Sequence, residues 1–398
     1  MKQIIYNAYR HFVLRGIKNF NKPSNPQEWK LFLSKLPQAT SRDQRSLNKY
    51  FCRMYYFGLG NKILLNLAAI GGVVFTVIPS FIRPNTEINK CNADAVLVEK
   101  NISYSDIIPG TLIEEYPNIK VVNDKRKNLK LNGDAKKIFM RIWRKNLFRP
   151  YYVLWIFREL AFISKLVDKY SPKAIIVYVY ERSVASPLIT DYLEAKGIKF
   201  ISFMHGDYTM QLIHAYTEFS EYYMWDSHYV DLWSNDLYCP PNQFRLYRPR
   251  KLQKKYSSSN ETVDFTYYLG SESDLTLERL GQLYKSLRSI GVKCKIRRHP
   301  RRFNLEQIAK YFDEDQIENP EAVTIDESIS RSKYIVSLNS TVMSEAYYGG
   351  KKIILDDWTD PKKYQSYVSR KGITATKHHM LLSEYISELK NNYETFRI

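Results

Sequence analysis

Only four cysteines occur in this chain, Cys52, Cys91, Cys239 and Cys294, and no two form a CxxC pair. That spacing excludes a disulfide framework and a thiolate zinc site, and it fits a reducing compartment. Acidic residues are also in deficit, with 41 Asp and Glu against 60 Lys and Arg and a formal net charge of +19. Such a field favours anionic partners: nucleic acid, phospholipid headgroups or phosphorylated small molecules. No helix-turn-helix, zinc-finger or RNA-stacking signature accompanies the charge, so nucleic acid is not expected among the partners. No secretory leader is recognisable, and a cytoplasmic location is expected. No short internal repeat is present, which argues against a solenoid. The Asp356-Asp357 pair ends a strand without a separate ligand cluster and reads as a surface turn, so neither a metal nor a cofactor is expected.

What the chain has in quantity is hydrophobic and aromatic side chains, 44% and 14% of 398 residues, including 32 Tyr and 19 Phe. This is a globular composition, and the length exceeds what one core usually supports, so two domains are expected. One apolar run is long. Residues 63–82 (ILLNLAAIGGVVFTVIPSFI) carry no charge and are flanked by Lys62 and Arg83. The run meets the length criterion for a membrane span, but Asn66, Gly71-Gly72 and Pro79 weaken it. The Lys, Arg and aromatic residues before it resemble those of helices lying in a bilayer interface, and a buried core helix is the third reading. Residues 1–90 are therefore expected to form a helical region, peripheral on the inner face of an anionic cytoplasmic membrane.

From Asp94 onward strands and helices alternate, the pattern of an α/β fold. The runs at 174–180 (AIIVYVY) and 199–204 (KFISFM) flank a helix at 183–196 ending at Gly197, a βαβ unit with parallel strands. A basic, Ser-rich stretch at 249–261 reads as the linker between a domain at 91–248 and a second at 262–398. The second series predicts strands at 265–269, 293–297, 334–338 and 352–355, with helices at 274–290, 305–312 and 341–348.

In doubly wound sheets ligands bind beyond the carboxyl ends of the strands. Four such loops carry chemistry: Glu181-Arg182-Ser183, His205-Gly206-Asp207-Tyr208, Arg297-Arg298-His299-Pro300-Arg301, and Ser337-Leu338-Asn339-Ser340-Thr341. His205 stands between a strand and a glycine, where an imidazole can face a cleft and act as a general base, with Asp207 available to orient or replace it. The cationic cluster from Arg297 to Arg302 suits a phosphate whose charge grows as a nucleotide leaves. Ser340 or Thr341 caps a helix N-terminus, which is an anion site.

In their order and spacing, HGD, RRHPR and SLNST resemble the motif set of bacterial sialyltransferases and polysialyltransferases of the GT-B fold, over roughly residues 94–355. The resemblance implies two Rossmann-like domains facing a central cleft, with an N-terminal helical extension. It implies an inverting, metal-independent glycosyltransferase that moves sialic acid from CMP-sialic acid to an oligosaccharide or lipid-linked saccharide of a surface polysaccharide, O-antigen or capsule. His299 and Pro300 match that family's HP motif, and Ser340 and Thr341 its phosphate-binding Ser-Ser/Thr motif. The donor-binding set becomes Arg297, Arg298, His299, Pro300, Glu327, Ser337, Ser340 and Thr341. Where the family has an acidic pair before glycine, this chain has Met204-His205-Gly206, which leaves the base open among His205, Asp207 and Glu181. The CDP-glycerol and CDP-ribitol phosphotransferases place a His-Gly there with a later HP motif, and such a phosphotransferase is the alternative. A non-catalytic scaffold of a polysaccharide assembly complex is a further one.

Overall fold

The computed structural model describes residues 25–82, 89–99, 104–123, 129–257, 260–270, 272–299, 305–338, 340–377 and 379–393. The chain divides into two compact units, one of residues 1–205 and 210–249 and the other of residues 250–398 together with Gly206–Thr209. Each is built on an all-parallel six-stranded sheet. The expected α/β class with two doubly wound halves is therefore observed.

The first sheet comprises β1 (Ala95–Val98), β2 (Ile119–Val122), β3 (Ala174–Tyr178), β4 (Lys199–Phe203), β5 (Glu221–Met224) and β6 (Phe244–Leu246), in the order β2-β1-β3-β4-β5-β6. Its central strands are continuous apolar runs because helices cover both faces, as parallel sheets require. The aromatic run at 222–225 lies in β5 and just after it, with Tyr222, Met224 and Trp225 buried and Tyr223 half-buried. Two helices, Gly133–Lys145 and Pro150–Tyr170, lie between β2 and β3 in the chain. Asn146 closes the first and Pro150 starts the second, where its missing N–H is no loss.

Residues 25–82 do not stand apart from this unit. Arg42 and Arg45 in the helix Arg42–Met54 pair with Glu218 at 2.7 and 2.9 Å, and the Ser46 hydroxyl donates to the Val184 carbonyl at 2.7 Å. The division expected at residue 90 is thus not a boundary between units, since residues on both sides of it fall in the first one. The apolar run forms a helix from Leu59 to Ile82, with a wider π turn at Val73–Val77.

The second sheet comprises β7 (Val263–Tyr268), β8 (Cys294–Arg297), β9 (Ile317–Glu318), β10 (Ser332–Ser337), β11 (Lys352–Leu355) and β12 (Met380–Leu381), in the order β12-β11-β10-β7-β8-β9. Strand alternation sorts its side chains. Phe265, Tyr267, Val336 and Ile354 meet the helices Asp274–Ser289 and Leu382–Asn392, while Tyr268, Ile335 and Ile353 meet Met343 and Ala346 on the other face. The presumed linker is part of this unit: the Tyr256 N–H donates to the Gly349 carbonyl at 3.0 Å, and Lys251 pairs with Glu345 at 3.0 Å.

Gly281, on the buried face of the helix Asp274–Ser289, lies so close to the next segment that an added Cβ would stand 2.7 Å from the Tyr311 carbonyl oxygen. Backbone cannot swing aside as a side chain can. Gly281→Ala is therefore expected to lower stability by about 1–2 kcal/mol in urea unfolding, the overpacking outweighing the gain in helix propensity.

Candidate functional site

In the first unit the chain runs from β1 out to β2 and returns to β3 on the other side of β1, so the topological switch point lies between β1 and β3. Ligands of open sheets bind there, beyond the carboxyl ends. Glu99 follows β1, the segment Val179–Arg182 follows β3, and His205 follows β4. The register Tyr178↔Phe203 ends β3 and β4 at the same edge, which brings Glu181 and His205 together.

His205 Nδ1 lies 3.6 Å from Glu181 Oε1, longer than a hydrogen bond but close enough for a strong charge interaction. The Glu181 side chain is 0% exposed and the His205 side chain 26% exposed. Neither Glu181 carboxylate oxygen has a hydrogen-bond partner among the described residues. The Tyr178 ring packs edge-on to the imidazole at 5.7 Å. Burial pulls His205 below its ordinary pKa of 6.5; the Glu181 charge opposes that shift, Arg182 adds to it, and Glu99 opposes it weakly. The result is a partly exposed imidazole, neutral at neutral pH, with a buried carboxylate behind it.

Two features of this edge were not read from the sequence. Val179 has φ +59°, a left-handed conformation costly for a β-branched residue, two positions before Glu181. Strain of this kind persists where the surroundings enforce it, commonly at functional sites. Lys49 is the second. Its ammonium is fully buried and donates to the carbonyls of Ile213 at 3.2 Å and Ala215 at 3.3 Å and to the Thr217 hydroxyl. Thr217 in turn hydrogen-bonds the Glu181 main-chain carbonyl at 3.0 Å. Burial lowers the Lys49 pKa to about 8. The signal was available in principle, since Lys49 lies three residues from both Ser46 and Cys52, on the inward face of its helix.

Asp207 is not part of this pair. Its segment belongs with the second unit, and its carboxylate accepts from the Tyr367 hydroxyl at 2.9 Å. Of the three candidate bases, the structure brings Glu181 and His205 together in the first unit, and Asp207 is bonded within the second.

In the second unit the switch point lies between β7 and β10. Ser340 follows β10 and caps the helix Thr341–Tyr348, its hydroxyl accepting from the Val342 N–H at 3.4 Å. Thr341 is the exposed first residue of that helix, so its N–H and hydroxyl lie at the positive end of the helix dipole. Partly buried Arg298 and His299 follow β8, beside β7. Pro300, with Arg301 and Arg302, lies outside the described residues.

Three expected donor ligands have other partners here. Arg297 is buried and paired with the fully buried Glu318, which also takes Arg331. The Ser337 hydroxyl is buried and donates to the Tyr268 carbonyl at 2.8 Å. Glu327 closes a capping box with Thr324. Each is explained by a contact within the unit. Asp356 also differs from the surface turn expected of it: fully buried, it accepts from the Tyr267 hydroxyl at 2.7 Å and the Trp358 and Thr359 N–H groups at 3.1 and 2.9 Å. Glu272, unnoticed in the sequence, accepts the Gly270 N–H at 2.6 Å just beyond β7, and burial raises its pKa.

These features define a two-unit, doubly wound α/β protein with chemically armed strand ends in both units. No protein-family model matches the chain, and no curated protein matches it. Among solved structures, the wall teichoic acid polymerase TagF is similar with a TM-score of 0.42 and 10% identity, covering 85% of this chain and 90% of that one. The calicheamicin glycosyltransferase CalG4 gives 0.42 and 8%, covering 76% of this chain and 89% of its own. The kitacinnamycin glycotransferase gives 0.39 and 10%, covering 71% and 84%. The reaction has to be argued from the chain's own residues.

Proposed function

We propose that the chain is an inverting glycosyltransferase in which His205 is the general base and the second unit holds a nucleotide-linked donor, with a CMP-linked sugar, sialic acid first, as the substrate class. The observation that carries this reading is the Glu181–His205 pair at the carboxyl ends of β3 and β4, beside the switch point of the first sheet. The buried Glu181 cannot reach an acceptor, whereas the partly exposed imidazole can. Glu181 favours the tautomer with the proton on Nδ1, which leaves Nε2 to accept. In the reaction His205 Nε2 takes the acceptor hydroxyl proton, the oxygen attacks the anomeric carbon from the face opposite the leaving group, and the bond from that carbon to the phosphate oxygen breaks. CMP departs, and one displacement inverts the centre.

The leaving phosphate needs fixed donors, and the Ser340–Thr341 helix terminus with Arg298 and His299 supplies the types required. His299→Ala is expected to lower kcat/KM for the donor by about 10²-fold, as loss of one such donor typically does. Unchanged kcat and KM in a variant with wild-type circular dichroism would exclude the role.

A second reading has a specific observation in its favour. A histidine, not a carboxylate, precedes Gly206, and a base of that kind can equally activate a hydroxyl for attack on the phosphorus of a CDP-polyol. Transfer assays with CMP-sialic acid, CDP-glycerol, CDP-ribitol and UDP-sugars separate the two. Turnover of CMP-sialic acid supports the first, turnover of a CDP-polyol alone the second, and a thermal shift with oligonucleotides but no nucleotide would sink both.

A further inference from the structure

We propose that the first unit carries a bilayer-docking face, formed by the helix Leu59–Ile82 and the Leu147–Phe148 turn, that seats it on an anionic membrane without crossing it. The helix exposes Leu59, Ile63, Leu67, Ile70, Val74 and Ile78, which recur every three or four residues and so form one apolar stripe. A water-facing stripe is ordinarily polar, and a continuous apolar one marks an interaction surface. Beside it the Phe148 side chain is 96% exposed at a turn, and Leu147 is exposed with it. An open groove of about 560 Å³ lies between the two elements, with Trp143 and Val153 in its floor.

The opposite side of the helix decides between lying on a bilayer and spanning it. Leu65, Ala69 and Val77 are buried. Gly72 meets Leu154 of the helix Pro150–Tyr170 so closely that a Cβ would stand 2.4 Å from its side chain. The Asn66 side-chain oxygen accepts the Tyr151 N–H at 3.3 Å. Phe81 stacks on Phe139 and Trp143 at 6.1 Å from each. A span would strip these contacts and take the packed face through hydrocarbon, whereas a helix lying flat keeps them and buries only the stripe.

Charge selects the occupant. The neighbouring helix Gly133–Lys145 presents Lys136, Lys137, Arg141, Arg144 and Lys145 along one side, and Lys62 lines the groove. Asp43, Asp134 and Asp191 pair with Lys137, Arg141 and Lys145, and an excess of positive charge remains among these residues. A positive rim around an apolar face complements anionic headgroups over acyl chains, and it repels a second copy of itself.

The test is co-sedimentation of the full chain with vesicles of phosphatidylcholine alone and of phosphatidylcholine mixed with phosphatidylglycerol. Preferential binding to the mixed vesicles, weakened by salt, is expected. Because Leu147 and Phe148 are solvent-exposed, a Leu147→Ser, Phe148→Ser variant should fold normally by circular dichroism and bind about 10-fold more weakly. Lys136→Glu with Arg144→Glu should weaken binding at least about fivefold per site. Failure of the wild-type chain to bind, or variants that bind as well as wild type, would overturn the proposal. Displacement by soluble glycerol phosphate would reduce it to headgroup capture, retention through alkaline carbonate extraction would mean a span, and a vesicle-free dimer lost in the Phe148 variant would assign the face to a second copy. Each of these outcomes overturns it.

Discussion

His205→Ala is expected to lower the rate constant for transfer by about 10²–10⁴-fold, the range that general-base catalysis supplies. The equilibrium affinity for the free nucleotide should stay near wild type, because the imidazole acts on the acceptor. Single-turnover kinetics with a CMP-linked donor and calorimetry with CMP read the two quantities separately. An active His205→Ala variant beside a dead Asp207→Ala one would show the base to be misassigned. The pH profile gives an independent check. Burial holds the imidazole below its ordinary pKa of 6.5, so the unprotonated base predominates at neutral pH and activity falls only as pH drops through that lowered value. The Glu181 charge raises the His205 pKa against the effect of burial. Glu181→Gln should therefore move the acid limb to still lower pH, and a limb that moved upward would contradict the arrangement.

The second large effect concerns stability. Glu318, fully buried, serves both Arg297 and Arg331. Glu318→Ala leaves the buried Arg297 guanidinium without its counter-charge, and a loss of about 3–5 kcal/mol is expected in urea unfolding. The desolvation cost of the pair is removed only when both charges go, so Arg297→Met with Glu318→Leu should recover much of what the single substitution loses. Nucleotide affinity separates the structural role of Arg297 from the donor-binding one read from the sequence. If the folded Arg297→Met protein binds CMP as wild type does, the residue is structural; a large loss of affinity at full folding would return it to the donor set.

Several elements were legible because their cause is local. The strand at 352–355 and the helix at 341–348 have the bounds that apolar periodicity and capping predict. Short edge strands such as β9 and β12, two residues each, carry no such signal. The stretch at 249–261 looked like a linker because composition cannot reveal that Tyr256 and Lys251 have partners in the following unit. Arg297 was read correctly as lying at a strand end, yet its partner Glu318 depends on the fold, whereas the Thr324–Glu327 capping box is a local pattern that the spacing alone could have shown.

Local pattern along the chain is enough to establish two parallel α/β halves and the loops at their strand ends, because hydrophobic period and turn residues act over a few positions. That Glu181 stands behind His205 could be learned from the folded chain alone, since the pairing rests on the β3–β4 register and not on any spacing along the chain. The same is true of Lys49, which reaches Thr217 across 168 positions. The fold likewise fixes which side of the helix Leu59–Ile82 is packed, because an apolar residue in a run looks the same whether it meets Leu154 or open solvent.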